Sequence, residues 1–266
     1  MTPRRLARRY VDAPYGQIHV AEAGVGTPLL LIHQTPRSWD EFREVIGLLA
    51  PQLRVIAYDL PGMGASDPIP GGPTIEGYAD AALTVADALG LDRFHACGHH
   101  TGGVVALELA ARAPARVASL VLSSTPWIDA AARRARAAEP PPVDLATHHP
   151  NGDHLLALWN QRRPHYPDGH ELLDRYLADA LRAADSAEGH LAVGRYEMEA
   201  RCPAVRCPVL VVEHAHDPFA SRHTAALVEH LRPTSVASIA DGRVPLEHTA
   251  HEFAHLVGEF VRSDGG

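Results

Sequence analysis

Apolar and polar positions along the chain fall into short continuous apolar runs separated by longer segments of helical periodicity. Tyr10 to Ala23 alternates about a turn at Tyr15-Gly16-Gln17 and predicts an antiparallel hairpin at a sheet edge. Leu29-Leu30-Leu31-Ile32 follows, a run typical of a strand covered on both faces. Ser38 is placed to cap a helix running to Leu49, and Arg54 to Tyr58 reads as the next strand. Helical spacing from Ile75 to Leu89 stops at Gly90. Arg93 to Cys97 is then a strand that runs into Gly98-His99-His100-Thr101-Gly102-Gly103, with a helix over Val104 to Arg112 and a buried strand over Val117 to Leu122. This alternation of strand and helix is what a parallel sheet requires.

From Pro126 to about Arg201 the alternation breaks. An Ala/Arg-rich helix, the stretch Pro140-Pro141-Pro142, and helices around Leu155 to Gln161 and Leu172 to Ala184 predict a helical cap inserted into the sheet domain. The sheet resumes at Val209 to Glu213 and ends with Ser235 to Ile239, before a closing helix from His251 to Arg262. The expected organisation is a core domain over 1–125 and 202–266 with a cap over 126–201.

Composition narrows the function classes. The 266 residues carry a formal net charge of -8, which offers no broad basic face to a polyanion, so nucleic-acid binding is not expected. The basic group Arg4, Arg5, Arg8 and Arg9 reads as a solvated end of the chain. No apolar run reaches the length of a membrane span and no signal-like segment follows the arginines, which points away from the membrane and towards the cytoplasm. Cys97, Cys202 and Cys207 are too few and too unevenly spaced for a disulfide framework, and they read as structural. Eighteen histidines, including the pairs His99-His100 and His148-His149, raise the question of a metal, but no spacing places two ligands on one face. No metal is expected. No Gly-rich turn opens a helix in the manner of a nucleotide or flavin site, so no cofactor is expected either. The partner called for is a small-molecule substrate, with a homodimer left open.

Three stretches in order, Leu31-Ile32-His33-Gln34-Thr35-Pro36, Asp59 to Asp67, and Gly98 to Gly103, resemble the α/β-hydrolase family. The resemblance implies the α/β-hydrolase fold, an α/β architecture with a mostly parallel central sheet, helices on both faces and an inserted helical cap. It implies further that the residue between the elbow glycines projects above the sheet, with the next backbone N–H facing the reacting oxygen. That residue is His100, where the family pattern has Ser, Cys or Asp. A base histidine is implied after the last strand, but Arg243 occupies the slot; His248 and His251 nearby are candidates to serve the site instead, His248 as a catalytic residue, against capping or surface roles. The acid position holds Asp217, which also suits the N-cap of a following helix.

An imidazole reaches further than a serine oxygen, into the space the loop histidine would fill. His100 oriented by Asp217 then combines both tasks, as a general base on water or on a substrate proton. Backbone N–H groups of Gln34 or Thr35, with that of Thr101, are the candidates for binding an oxyanion. His33 reads as a loop brace. In the cap, Trp127, Trp159, His154, Tyr166, Tyr196 and Glu197 are candidates for lining a pocket, although Trp159 among Leu155, Leu156 and Leu158 also reads as cap core. Three functions remain open at this stage. They are hydrolysis of an ester, lactone or thioester; lyase, isomerase or cofactor-independent oxygenase chemistry on the same fold; and a non-catalytic ligand-binding protein.

Overall fold

The computed structural model describes residues 5–138, 149–166, 170–217, 221–240 and 245–263. The Pro140 to Pro142 stretch and Arg243 lie outside the described residues.

β1 (Ala7–Ala13) and β2 (Gly16–Ala23) pair antiparallel, and β2 joins the sheet antiparallel to β4. From there the sheet is parallel: β3 (Pro28–Ile32), β4 (Arg54–Tyr58), β5 (Phe94–His99), β6 (Val117–Ser123), β7 (Val209–His214) and β8 (Thr234–Ile239). The eight strands lie in the order β1-β2-β4-β3-β5-β6-β7-β8. The side-chain period of two sends neighbouring residues of a strand to opposite faces. Leu30 and Ile32 pack with residues of α2 (Ile75–Ala88) and α3 (Thr101–Arg112), whereas Leu29 and Leu31 pack with α1 (Arg43–Leu49) and the closing helix. Burial on both faces is why the strands read as unbroken apolar runs.

Between β6 and β7 the chain forms α4 (Ala130–Ala138), α5 (Asp153–Arg162), α6 (Glu171–Arg182), α7 (Glu188–Arg195) and α8 (Met198–Arg201). α5 and α6 share a small core of their own around Leu158, Tyr166, Leu173 and Tyr176, with Trp159 against it. After β7 come α9 (Thr224–His230), α10 (Pro245–His248) and α11 (Ala250–Ser263). Ser38 accepts a hydrogen bond from the Asp40 amide as expected, but the turn it caps is 3₁₀ over Trp39–Phe42 before α1 begins. Among the described residues no helix is long and apolar enough to cross a membrane.

The passage from β5 into α3 sets the position of everything above the sheet. A Cβ on Gly98 would lie 2.1 Å from the Gly102 carbonyl oxygen, one on Gly102 would lie 1.9 Å from that of Ile32, and one on Gly103 would lie 1.9 Å from Thr125 Oγ1. The glycines therefore let α3 press against β3 and the end of β6. The reversal drives His100 into a left-handed backbone at φ 47°, and Ser124, just past β6, shares that region at φ 43°. These are the only non-glycine residues with positive φ among the described residues.

Gly102→Ala should cost at least about 2 kcal/mol in urea unfolding, because its methyl group meets backbone that has no rotamer to change. At position 124 the sign depends on the side chain. Ser124→Gly is expected to leave the unfolding midpoint nearly unchanged, since relief of strain offsets the added chain entropy, whereas the β-branched Ser124→Val should lose about 1–3 kcal/mol.

Candidate active site

His100 and Asp217 stand at the ends of β5 and β7, two strand spacings or roughly 10 Å apart across the end of β6. The strained elbow lifts the His100 ring over that gap, and its Nε2 lies 2.7 Å from Asp217 Oδ2. The carboxylate is nearly buried while the imidazole keeps a fifth of its surface open. A carboxylate only accepts, so the neutral tautomer able to donate to it carries its hydrogen on Nε2 and its lone pair on Nδ1. In that tautomer the basic atom is the ring nitrogen closer to the elbow backbone.

A second layer of imidazoles lies beneath. The His99 ring packs edge-on to His100 with centroids 4.5 Å apart, and its Nδ1 is 3.0 Å from Ser123 Oγ, which in turn is 3.2 Å from His214 Nε2. Burial, then the neighbouring His100 and His214, hold the His99 ring well below the ordinary histidine range. Burial also lowers His214 to about 4 against the pull of Asp217, and lowers His190 of α7 to about 4 with help from Arg162, Arg136 and His100. These three rings are neutral near pH 7, so they add no charge to compete with a proton on His100.

The loop after β3 forms the other wall. His33 is a brace: its Nε2 accepts from the Leu60 amide at 2.8 Å and its Nδ1 donates to the Gln34 carbonyl at 2.8 Å, so both ring nitrogens are committed. The Gln34 amide donates to Glu41 Oε2 at 2.9 Å, which removes it from the candidate oxyanion donors. Thr35 remains. The Gln34 carbonyl accepts from both His33 Nδ1 and the Arg37 amide, and in a trans peptide the Thr35 N–H points the opposite way. Gly102 sits directly against the carbonyls of Ile32 and His33, which brings the Thr101 amide, in the first turn of α3 and without a partner inside the helix, alongside this loop.

The β6–β7 helices are docked onto the same loop. Gly189 of α7 lies so close to Thr35 that a Cβ would stand 1.9 Å from its Oγ1, and the Ala184 amide donates to the Gly62 carbonyl at 2.8 Å. Arg37, with no exposed surface, donates to Asp179 of α6 at 3.1 Å and to Glu247 of α10 at 2.7 Å, while Ser38 donates to Asp179 at 2.8 Å. Sequence reasoning missed this cluster. The i,i+4 pair Arg37 and Glu41, one just before the Ser38 cap and the other on the turn it caps, was the available signal.

The remaining candidates make contacts of their own. Trp127 is buried, donates to Asp129 and stacks on His230 of α9 at 4.3 Å. Trp159 belongs to the α5–α6 core, with its ring 5.4 Å from that of His170. Tyr196 donates to Glu108 of α3, and Glu197 is exposed. His248 ends α10 with its side chain exposed, next to the inward-facing Glu247. Among the described residues no group of three or more His, Cys, Asp or Glu is arranged to hold a metal ion.

Comparison with known proteins agrees with this fold. Residues 27–141 match the family model described as the alpha/beta hydrolase fold. Haloalkane dehalogenase 2 of Mycobacterium bovis is 32% identical over 164 residues, covering 59% of this chain and 57% of that protein. The chain thus spans under two thirds of the length of the curated relatives it first matches. Among solved structures, a thermophilic esterase from Thermogutta terrifontis superposes with a TM-score of 0.77 at 23% identity, over 98% of this chain and 100% of that one. The enol-lactonase from Burkholderia xenovorans LB400 gives 0.75 at 20% identity, over 96% and 100%. Strand order, elbow and these likenesses together establish that the chain has the α/β-hydrolase fold.

Proposed function

We propose that this protein is a hydrolase of a small carbonyl compound, an ester, lactone or thioester, in which His100 and Asp217 act as a general-base dyad. The observation that carries the reading is the 2.7 Å separation of His100 Nε2 from Asp217 Oδ2 at the elbow. Esterases and an enol-lactonase among the structural neighbours are consistent with that substrate class.

In this mechanism Asp217 fixes the ring through Nε2–H, and Nδ1 removes a proton from water. The hydroxide adds to the carbonyl carbon, and the oxygen that gains charge faces the Thr35 and Thr101 amides. Collapse expels the leaving oxygen or sulfur, which takes the proton back from the imidazolium. No acyl-enzyme forms, because the elbow carries no serine or cysteine. The β6–β7 helices serve as a cap that covers the reacting carbonyl. The presence of imidazole where the family pattern has a nucleophile also favours a second reading, in which Nδ1 takes a proton directly from carbon, as in lyase or cofactor-independent oxygenase chemistry.

Turnover of a panel of activated esters, lactones and thioesters tests the proposal. His100→Ala and Asp217→Asn should each lower kcat by about a hundredfold or more, the size expected of a general base and its orienting partner, with no burst of released alcohol. Full activity in His100→Ala refutes the dyad. An inert wild type with activity gained in His100→Ser moves the carbon-acid or ligand-binding readings ahead.

A further inference from the structure

We infer that Glu41 is a positioning residue for this site: its buried carboxylate grips Gln34 by both main chain and side chain, and so aims the Thr35 amide at the reacting oxygen. The inference rests on the base-catalysed reading of the site and adds the group that shapes its electrostatic half.

Glu41 is 1% exposed and lies on the 3₁₀ turn that follows the loop. Oε2 accepts the Gln34 backbone N–H at 2.9 Å and Oε1 accepts the Gln34 side-chain Nε2 at 2.5 Å. With the Gln34 carbonyl taken by His33 and the Arg37 amide, every polar group of Gln34 except its side-chain oxygen is committed within the loop. Residue 34 is thus fixed on both sides, the peptide before it by Glu41 and the peptide after it by His33 and Arg37, and the Thr35 N–H, which belongs to the second of these, turns away only if residue 34 is released. The glutamine side chain gives Glu41 a second point of attachment besides the main chain.

The grip is also sensitive to protonation. Facing Glu41 are Arg37 of the same loop at 3.6 Å, Glu247 of α10, which shares the Arg37 guanidinium, Tyr166 beyond α5, and Tyr176 and Asp179 of α6. Burial pushes the Glu41 carboxyl up to about 7; Arg37 and the Gln34 hydrogen bonds pull against that rise, and Glu247 adds to it. As pH falls through this value the carboxylate gains a proton and becomes a weaker acceptor for the two N–H groups. The Thr35 amide then loses its fixed direction, independently of the charge on His100.

The experiment has two arms. In the first, the backbone and side-chain amide signals of Gln34 are followed by 15N NMR in full-length His100→Ala between about pH 5 and 9. A titration with midpoint near 7 that vanishes in His100→Ala/Glu41→Gln supports the inference, and pH-independent signals overturn it. This arm needs no substrate, so it stands even if the proposed reaction proves wrong. In the second, Glu41→Gln in the otherwise wild-type protein should lower kcat about ten- to hundredfold with little change in KM, the pattern of a weakened oxyanion interaction. Unchanged kcat in Glu41→Gln overturns the positioning role while leaving the dyad intact.

Discussion

Everything above the sheet depends on the close approach of α3 to the strands. Three glycines at positions 98, 102 and 103 admit backbone where a methyl group would overlap a carbonyl or a threonine side chain. The chain can then reverse from β5 into α3 only by forcing the intervening residue into a left-handed conformation. That strain is what stands the His100 ring over the end of β6, within reach of a carboxylate two strands away. The same approach brings the start of α3 against the loop after β3. One steric fact thus gathers the proposed base and the proposed backbone donors around the same small volume.

Electrostatics then divides the neighbourhood into two parts. Around the dyad, burial keeps His99, His190 and His214 uncharged. On the other side of the loop lies a dense ionic cluster in which Arg37 faces Asp179, Glu41 and Glu247. Isolated buried charges are expensive, and a cluster of this kind contributes more to fixing one arrangement of segments than to net stability. Its members come from the loop after β3, α6 and α10, so it registers three parts of the chain against one another.

Much of the fold was legible because burial on both faces leaves a plain mark: Leu29 to Ile32 and Val209 to Val212 are unbroken apolar runs that only a covered strand explains. β8 was legible for its position in the order of elements more than for its composition, since much of it is exposed at the sheet edge. The short helices α7 to α10 were not. They run from four to eight residues and carry alanines and polar side chains, and what holds α7 is docking against Thr35, which no local pattern encodes. At the site, the order of motifs put His100 and Asp217 on one edge of the sheet, and the reach of an imidazole suggested that they meet. The Arg37 cluster was invisible for a physical reason: its charged members lie at positions 37, 41, 179 and 247, and charged residues in a sequence read as solvent-facing until the fold gathers them.

The contact between Gly189 and Thr35 constrains how this sequence can diversify. No side chain, however small, fits at 189 unless the loop beneath it shifts, and that loop carries Thr35, whose amide is a proposed donor to the reaction centre. Innovation in the helical insertion is therefore confined to residues that do not touch this point, such as those further along α7 or on α4 and α5. Those positions can drift over generations, while the seam at 189 changes only together with the loop it covers.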